Sequence, residues 1–488
     1  MNIELLQKIP EAAETLIIPI FEKEAPPKEL PQSLYSKVNQ LLKTGEFEAK
    51  QGNYIVVHTQ ERIKRLFLVG LGCKLKANSN ILRNAVADCA RLSKQRNISS
   101  LVVMLPKLTE EEGFIIQATA EGLMLGQYLF EKFKTEKTDR KLISKAFILA
   151  KRTKENEAML RLAKVNADSV MFARDLINMP ASIMTPTKLA KVATSLKSKN
   201  MKVKILERKD MERLGMGGVL SVARGSVQPP KFIILEYKGS KQKSKPFVLV
   251  GKAITFDSGG LDIKPADGMK DMKSDMAGGA TVLGILKTLQ QLNLPLNVVG
   301  LIPATENMPG QDAYKQGDVV ISYTKKTIEI GHTDAEGRII LADALGYAQK
   351  YAPKCIIDFA TLTGACIIAL GTVAAGLFSN NSELAEKLEK ASNQTQEKVW
   401  RMPLWDEYTE MIKGDIADVR NISIPPKQAG AITAAAFLKE FVGNNDWAHI
   451  DIAGPSYVDI EKGILQKGAT GFGIRLLTRF LINETKNH

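Results

Sequence analysis

Apolar residues in this chain fall into short continuous runs, separated by longer segments with helical spacing. Within residues 1–150 the runs include Leu66 to Gly70 and Leu101 to Leu105. Runs of that length between helical patterns predict an α/β domain. Glu155 to Ile177 has the spacing of one long amphipathic helix. It should end at Asn178-Met179-Pro180, because proline and its predecessor both oppose further helix. This helix, over 151–177, reads as the link to a second domain covering 178–488.

The second part alternates again. Predicted strands are Lys202–Leu206, Phe232–Tyr237, Phe247–Val250, Asn297–Ile302, Thr327–Ile330, Cys355–Ala360 and Ala448–Ile452. Predicted helices between them include Ala277–Leu292, Leu341–Tyr351 and Ala431–Phe441. Continuous apolar strands alternating with helices need cover on both faces, which predicts a mixed, mostly parallel sheet. The fold class is therefore α/β: a smaller N-terminal domain and a larger C-terminal domain with a mixed, mostly parallel central sheet.

Composition narrows the setting. The chain has 488 residues, 44% hydrophobic and 25% charged, which is ordinary for a globular protein. Its four cysteines, Cys73, Cys89, Cys355 and Cys366, form no CxxC pair, so they fit a reducing compartment. The opening 14 residues lack a basic stretch followed by an apolar one, so no leader is expected. Gly364 to Phe378 is shorter than the ~20 residues of a membrane span. A cytoplasmic protein with no membrane partner is the expectation. The net charge of +14 invites nucleic-acid binding. The basic residues are spread along the chain, however, which favours a lysine-rich solvated surface. The densest group, Lys238 to Lys245, reads as a loop between strands.

Several motifs fail. Gly70-Leu71-Gly72 lacks the third glycine of a dinucleotide fingerprint, since Leu75 stands there. Gly251-Lys252 lacks the upstream glycine of a phosphate loop, and Ala253 replaces its Ser/Thr. No G-x-S-x-G elbow exists. The four histidines are His58, His332, His449 and His488. His449 sits in a predicted buried strand and reads as a satisfied core histidine. A metal here would be held mainly by oxygen.

Two segments carry unusual chemistry. The first runs from Gly251 through Lys252, Asp257, Gly259-Gly260 and Lys264 to Met272, Asp275 and Gly278. It follows a strand, where open α/β sheets place ligand sites. The second is Gly331-His332-Thr333-Asp334-Ala335-Glu336-Gly337-Arg338, before a helix expected to start near Ile339. Spacing by two predicts that Asp334, Glu336 and Arg338 share one side of an extended segment. Carboxylates that close need a cation between them, supplied by Arg338 or by metal.

These segments resemble the leucyl aminopeptidase (cytosol aminopeptidase) family. HTDAEGR is one substitution from that family's NTDAEGR signature. Agreement continues in Arg174–Pro180, Gly215–Gly218, Gly225-Ser226, Glu306–Pro309, Ala360–Ala365 and His449–Gly454. The resemblance is strong over roughly 160–480 and general before that. It implies an aminopeptidase with two divalent ions per subunit, Mn²⁺ or Zn²⁺. Their ligands would be Lys252, Asp257, Asp275, Asp334 and Glu336, with Asp257 and Glu336 bridging. Lys264 and Arg338 would be the catalytic side chains, Arg338 holding a bicarbonate ion. Met272 and Thr361 would line a pocket for leucine or another apolar first residue. The same resemblance implies peptide substrates and a homohexamer. A ligating lysine must be neutral, so adjacent dications would have to depress the pKa of Lys252 strongly.

Two positions depart from the family pattern. His332 replaces the usual asparagine and reads as a hydrogen-bonding support for the ligands in preference to an added ligand or titrating group. Asp262 adds a negative charge. A nucleic-acid binding protein on a peptidase scaffold, and a two-metal phosphoesterase, are the competing readings.

Overall fold

The structure is a computed structural model, which describes residues 1–10, 13–136, 141–240 and 244–485. Two compact units divide the chain. The first comprises Met1–Asp168 with Asp459–Lys467; the second comprises Ser169–Val458 with Gly468–His488. The change of unit falls inside the predicted long helix, which runs Lys154–Asn178.

The first unit is built on a six-stranded sheet. In spatial order its strands are Asn2–Leu6, Lys145–Leu149, Ser100–Met104, Thr15–Ile20, Arg65–Gly70 and Tyr54–His58. All neighbours pair parallel except the last two. Helix Gln32–Lys43 buries Leu34 and Val38 against Leu16, Ile18, Ile20, Leu66 and Leu68 on one face. Ile17, Phe67, Leu101 and Val103 point the other way and are buried too. Helices Ser79–Gln95 and Glu112–Leu125, packed on each other, cover that second face. Burial on both faces explains why these strands read as continuous apolar runs.

The second unit carries a nine-stranded mixed sheet. Its centre is a parallel run of Trp447–Asp451, Cys355–Ala360, Phe247–Gly251 and Asn297–Asn307. Lys231–Lys238 and Met201–Leu206 add antiparallel at one side, and Ala375–Ser379 at the other. Helix Ala277–Leu292 packs on the central strands and is buried without a break from Ala277 to Leu286. Helix Glu336–Ala348 is buried along its whole length.

Some expectations need correction. The predicted strand at Thr327–Ile330 forms, as Thr327–Glu329, in a separate three-stranded sheet with Val319–Ile321 and Val419–Arg420. No strand is predicted in the segment after Gly251. Ala253–Asp257 is a further strand, parallel to the end of Asn297–Asn307. The lysine group at 238–245 lies between two strands, as read, but 241–243 and His488 fall outside the described residues. All four cysteines are free. No helix among the described residues is long and apolar enough to cross a membrane.

Candidate metal centre

The carboxyl ends of the central strands bring the two chemical segments together. Phe247–Gly251 delivers Lys252, whose amide N–H donates to the Phe359 carbonyl at 3.0 Å. Ala253–Asp257 then delivers Asp257 at its last position. Gly259 and Gly260 follow with φ of 90° and 68°, the left-handed region open to glycine. This turn folds the chain back: the Lys264 N–H donates to the Ser258 carbonyl at 2.9 Å. The Lys264 ammonium thereby returns to Asp257, at 3.0 Å, and also contacts Asp334.

Glu336 corrects the second segment's expected geometry. Helix Glu336–Ala348 begins at this residue, three positions before the predicted start near Ile339. Asp334, Glu336 and Arg338 therefore do not line one side of an extended segment. Asp334 sits in the turn before the helix, while Glu336 and Arg338 are on its first turn. A helix opening accommodates a buried carboxylate because its free N–H groups favour negative charge there. A Cβ at Gly337 would stand 2.5 Å from Lys252 Cε and would displace the Lys252 side chain.

The result is one linked cluster. Oxygens of Asp257, Asp334 and Glu336 lie within 4.8 Å of one another. The Lys252 ammonium is 2.8 Å from Asp275 and 2.9 Å from Glu336, and donates to the Thr361 carbonyl at 2.9 Å. The Thr361 hydroxyl donates to Asp275 at 2.7 Å. Met272 is half-buried in the helical turn that precedes Asp275. Arg338 is buried; its Nη1 donates to the Asn421 carbonyl at 2.7 Å, and its Nε has no partner.

Electrostatics follows from this crowding. Burial raises the pKa of Glu336 to about 7, and the Asp257 carboxylate adds to the effect. Burial and Asp257 also raise Asp334, to about 6. Burial raises Asp275 to about 8 although Lys252 opposes it. For Lys252, burial disfavours the ammonium, but Asp275, Glu336 and Asp257 outweigh it and hold the group above its usual range. Lys264 is raised in the same way by Asp257, Glu336 and Asp334. Facing carboxylates alone, Lys252 thus shifts opposite to what a neutral ligand needs. Burial lowers Arg338 to about 10.

These residues fit a metal centre. Asp275 Oδ2, Asp334 Oδ1 and Glu336 Oε1 are buried oxygens with ammonium contacts but no hydrogen bond of proper geometry. Such oxygens are poorly served by hydrogen bonding and well suited to a cation.

Sequence reasoning left out the residues that hold these segments in place. Asn307, closing its strand, donates to Asp257 at 2.8 Å and to the Thr333 carbonyl at 3.1 Å. Asn421 accepts from the Gly331 N–H at 2.7 Å and donates to the His332 carbonyl at 2.7 Å. Asp451 accepts from the Thr363 hydroxyl at 2.7 Å, just beyond Thr361. Asn307 and Asp451 lie in stretches that resemble the family, which was the available signal; Asn421 has no local one. His332 supports the site through its ring: the Asp334 N–H donates to His332 Nδ1 at 3.1 Å. Asp262 accepts from the Thr333 N–H at 2.7 Å, tying the Lys264 loop to the Asp334 loop. His449 is buried with Nδ1 2.6 Å from Asp358, and its Nε2 has no partner.

The chain matches the description "Cytosol aminopeptidase family, catalytic domain" over residues 171–478, and the same family's N-terminal domain over 17–137. The chain belongs to the cytosol aminopeptidase family. A probable cytosol aminopeptidase of Geobacter sp. (strain M21) is 40% identical over 491 residues, 99% of each chain. One from Nitrosospira multiformis is 44% identical over 470 residues, 93% of this chain and 89% of that one. Among solved structures, the bottromycin maturation enzyme BotP superposes with a TM-score of 0.86 at 31% identity, covering 97% of this chain and 100% of its own. BotP has also been solved in complex with Mn. As a member of this family the protein is a metal-dependent aminopeptidase that acts on peptides.

Proposed function

We propose that the protein removes leucine or another apolar residue from peptide N-termini, using two divalent ions per subunit, Mn²⁺ or Zn²⁺, in a cytoplasmic setting. The observation that supports this most is the buried group of Asp257, Asp334 and Glu336 oxygens within 4.8 Å. Lys252, Asp257, Asp275, Asp334 and Glu336 would hold the ions. The ions would supply Lewis acidity and a water acidic enough to give a nucleophile at neutral pH.

The chain's own groups do the rest. Lys264 stays protonated beside Asp257 and Asp334 and donates to the oxyanion that forms on attack. Arg338 carries a buried guanidinium with its Nε free, suited to holding bicarbonate as a general base. Asn307 and Asn421 keep both carboxylate-bearing segments aligned through the hydrogen bonds above. Met272 and Thr361 would border the first side chain of the substrate. A carboxylate-rich centre accepts a free α-amine; an acetylated one offers neither charge nor lone pair.

The test compares substrates. Leucyl-anilide and an unblocked leucyl peptide should turn over, and the N-acetylated peptide should be cut at least about tenfold more slowly. Equal rates on blocked and free peptides would mark an endopeptidase. Faster cleavage of a phosphate ester than of the anilide would favour the phosphoesterase. A homohexamer completes the proposal, in line with the closed symmetry general among soluble oligomers. Light scattering that gives the 53.6 kDa monomer mass at micromolar concentration would overturn that part.

A further inference from the structure

The first unit contains a crevice that the peptidase chemistry leaves unused. Its volume is about 670 Å³, within the range of small-molecule sites. It lies at the carboxyl edge of the six-stranded sheet. All five mutually parallel strands send the residues that follow them into its wall. Gln7 follows the first strand, Phe21 the second, Lys74 the strand ending at Gly70, Leu105 the one ending at Met104, and Ala150 the one ending at Leu149.

The topology explains the opening. Thr15–Ile20 and Ser100–Met104 are parallel neighbours, with Leu16 opposite Val102. The chain leaves the first toward helix Gln32–Lys43 on one face of the sheet. It leaves the second toward helix Glu112–Leu125 on the other. Loops that depart to opposite faces part from each other, and open α/β sheets bind ligands at such a point.

The lining indicates the ligand's chemistry. It holds four lysines, three glutamates and no arginine. Two lysines are committed: Lys74 pairs with Glu24 at 2.8 Å and lies over the Phe21 ring, and Lys107 lies 3.5 Å from Glu29. Glu112 accepts from the Asn156 amide at 2.8 Å. Lys28 and Lys151 form no ion pair among the described residues, which leaves a surplus of positive charge. Lysine without arginine suits phosphate bound as a point charge better than a carboxylate held by a planar fork. Phe21, Met104 and Leu149 supply an apolar floor. We propose that this crevice binds a phosphorylated small molecule of nucleotide size, its phosphate at Lys28 and Lys151 and its ring against the apolar floor.

Calorimetric titration of the full-length protein tests this, with chelator present so that metal-held phosphate does not contribute. The probes are AMP, ADP and inorganic phosphate. AMP or ADP should bind at least about tenfold more tightly than inorganic phosphate. The double substitution Lys28→Ala/Lys151→Ala should weaken nucleotide binding by about tenfold or more, equivalent to ~1.4 kcal/mol. Both lysines are exposed, so the fold should tolerate the change, and leucyl-anilide hydrolysis by the metal-loaded variant should stay within about twofold. Absence of binding by either nucleotide at about 5 mM overturns the proposal. So does nucleotide binding that the double variant leaves unchanged, and so does phosphate binding as tight as that of AMP. Failure here would leave the peptidase reading untouched, because the two assays share no residue.

Discussion

Chelation should abolish peptide hydrolysis by this protein, and Mn²⁺ or Zn²⁺ should restore it. The reason is electrostatic. Asp257, Asp275, Asp334 and Glu336 meet in a buried space with two ammonium groups as their counter-charges. Lys252 and Lys264 keep the carboxylates together, but neither supplies a nucleophile or polarises a carbonyl as a metal does. The metal-free site should therefore be folded and inactive. Its metal affinity should also rise with pH. Asp334, Glu336 and Asp275 have pKa values raised to about 6, 7 and 8. Each is thus partly protonated in that window, Lys252 is fully protonated there, and ligation requires those protons to leave. Each proton displaced makes the apparent affinity climb by up to about tenfold per pH unit while the pH lies below that group's pKa. Titrating the chelator-stripped protein with Mn²⁺ between pH 6 and 8, about one unit on either side of the Glu336 value, checks the sign. Full activity in protein shown to be metal-free would refute the two-ion proposal, and affinity falling with pH would refute the proton displacement.

The second prediction separates the two lysines. Lys264→Ala should keep both ions bound, because Lys264 contacts Asp257 and Asp334 as a counter-charge and not as a proposed ligand. Its kcat should fall by roughly 10²–10³-fold, the loss for one oxyanion donor. KM should move less, since the interaction strengthens mainly in the transition state. Lys252→Ala should instead lower metal occupancy, and excess Mn²⁺ should recover part of the activity. It removes the group that bridges Asp275 and Glu336, both buried, so some loss of thermal stability should accompany it. Bound metal, kcat and melting temperature measured side by side decide the matter. Loss of metal from Lys264→Ala with full occupancy in Lys252→Ala would reverse the two roles.

Much of this molecule was legible from the chain alone. Strand Cys355–Ala360 and helix Ala277–Leu292 form at the residues where they were predicted. Strands buried on both faces leave uninterrupted apolar runs, and a helix packed on such a sheet keeps a long buried stretch, here Ala277 to Leu286. The chemical side chains were legible too. Any one of these residues alone reads as a turn or a surface charge; four carboxylates and two lysines near strand ends in one domain, with glycines around them, point to a site together. What they touch depended on the fold. Glu336 opens a helix instead of continuing an extended segment, because Asn421, 85 positions on, holds the preceding turn through Gly331 and His332. The strand carrying Asp257 exists because Asn297–Asn307 runs long enough to pair with it. Lys252 has the charge state it does because Asp275 and Glu336, far apart in sequence, close around it. Local pattern determines which face of a segment is apolar and which residue types it presents. Distances between segments, and the pKa values those distances produce, arise only when the whole sheet assembles and removes the groups from water together.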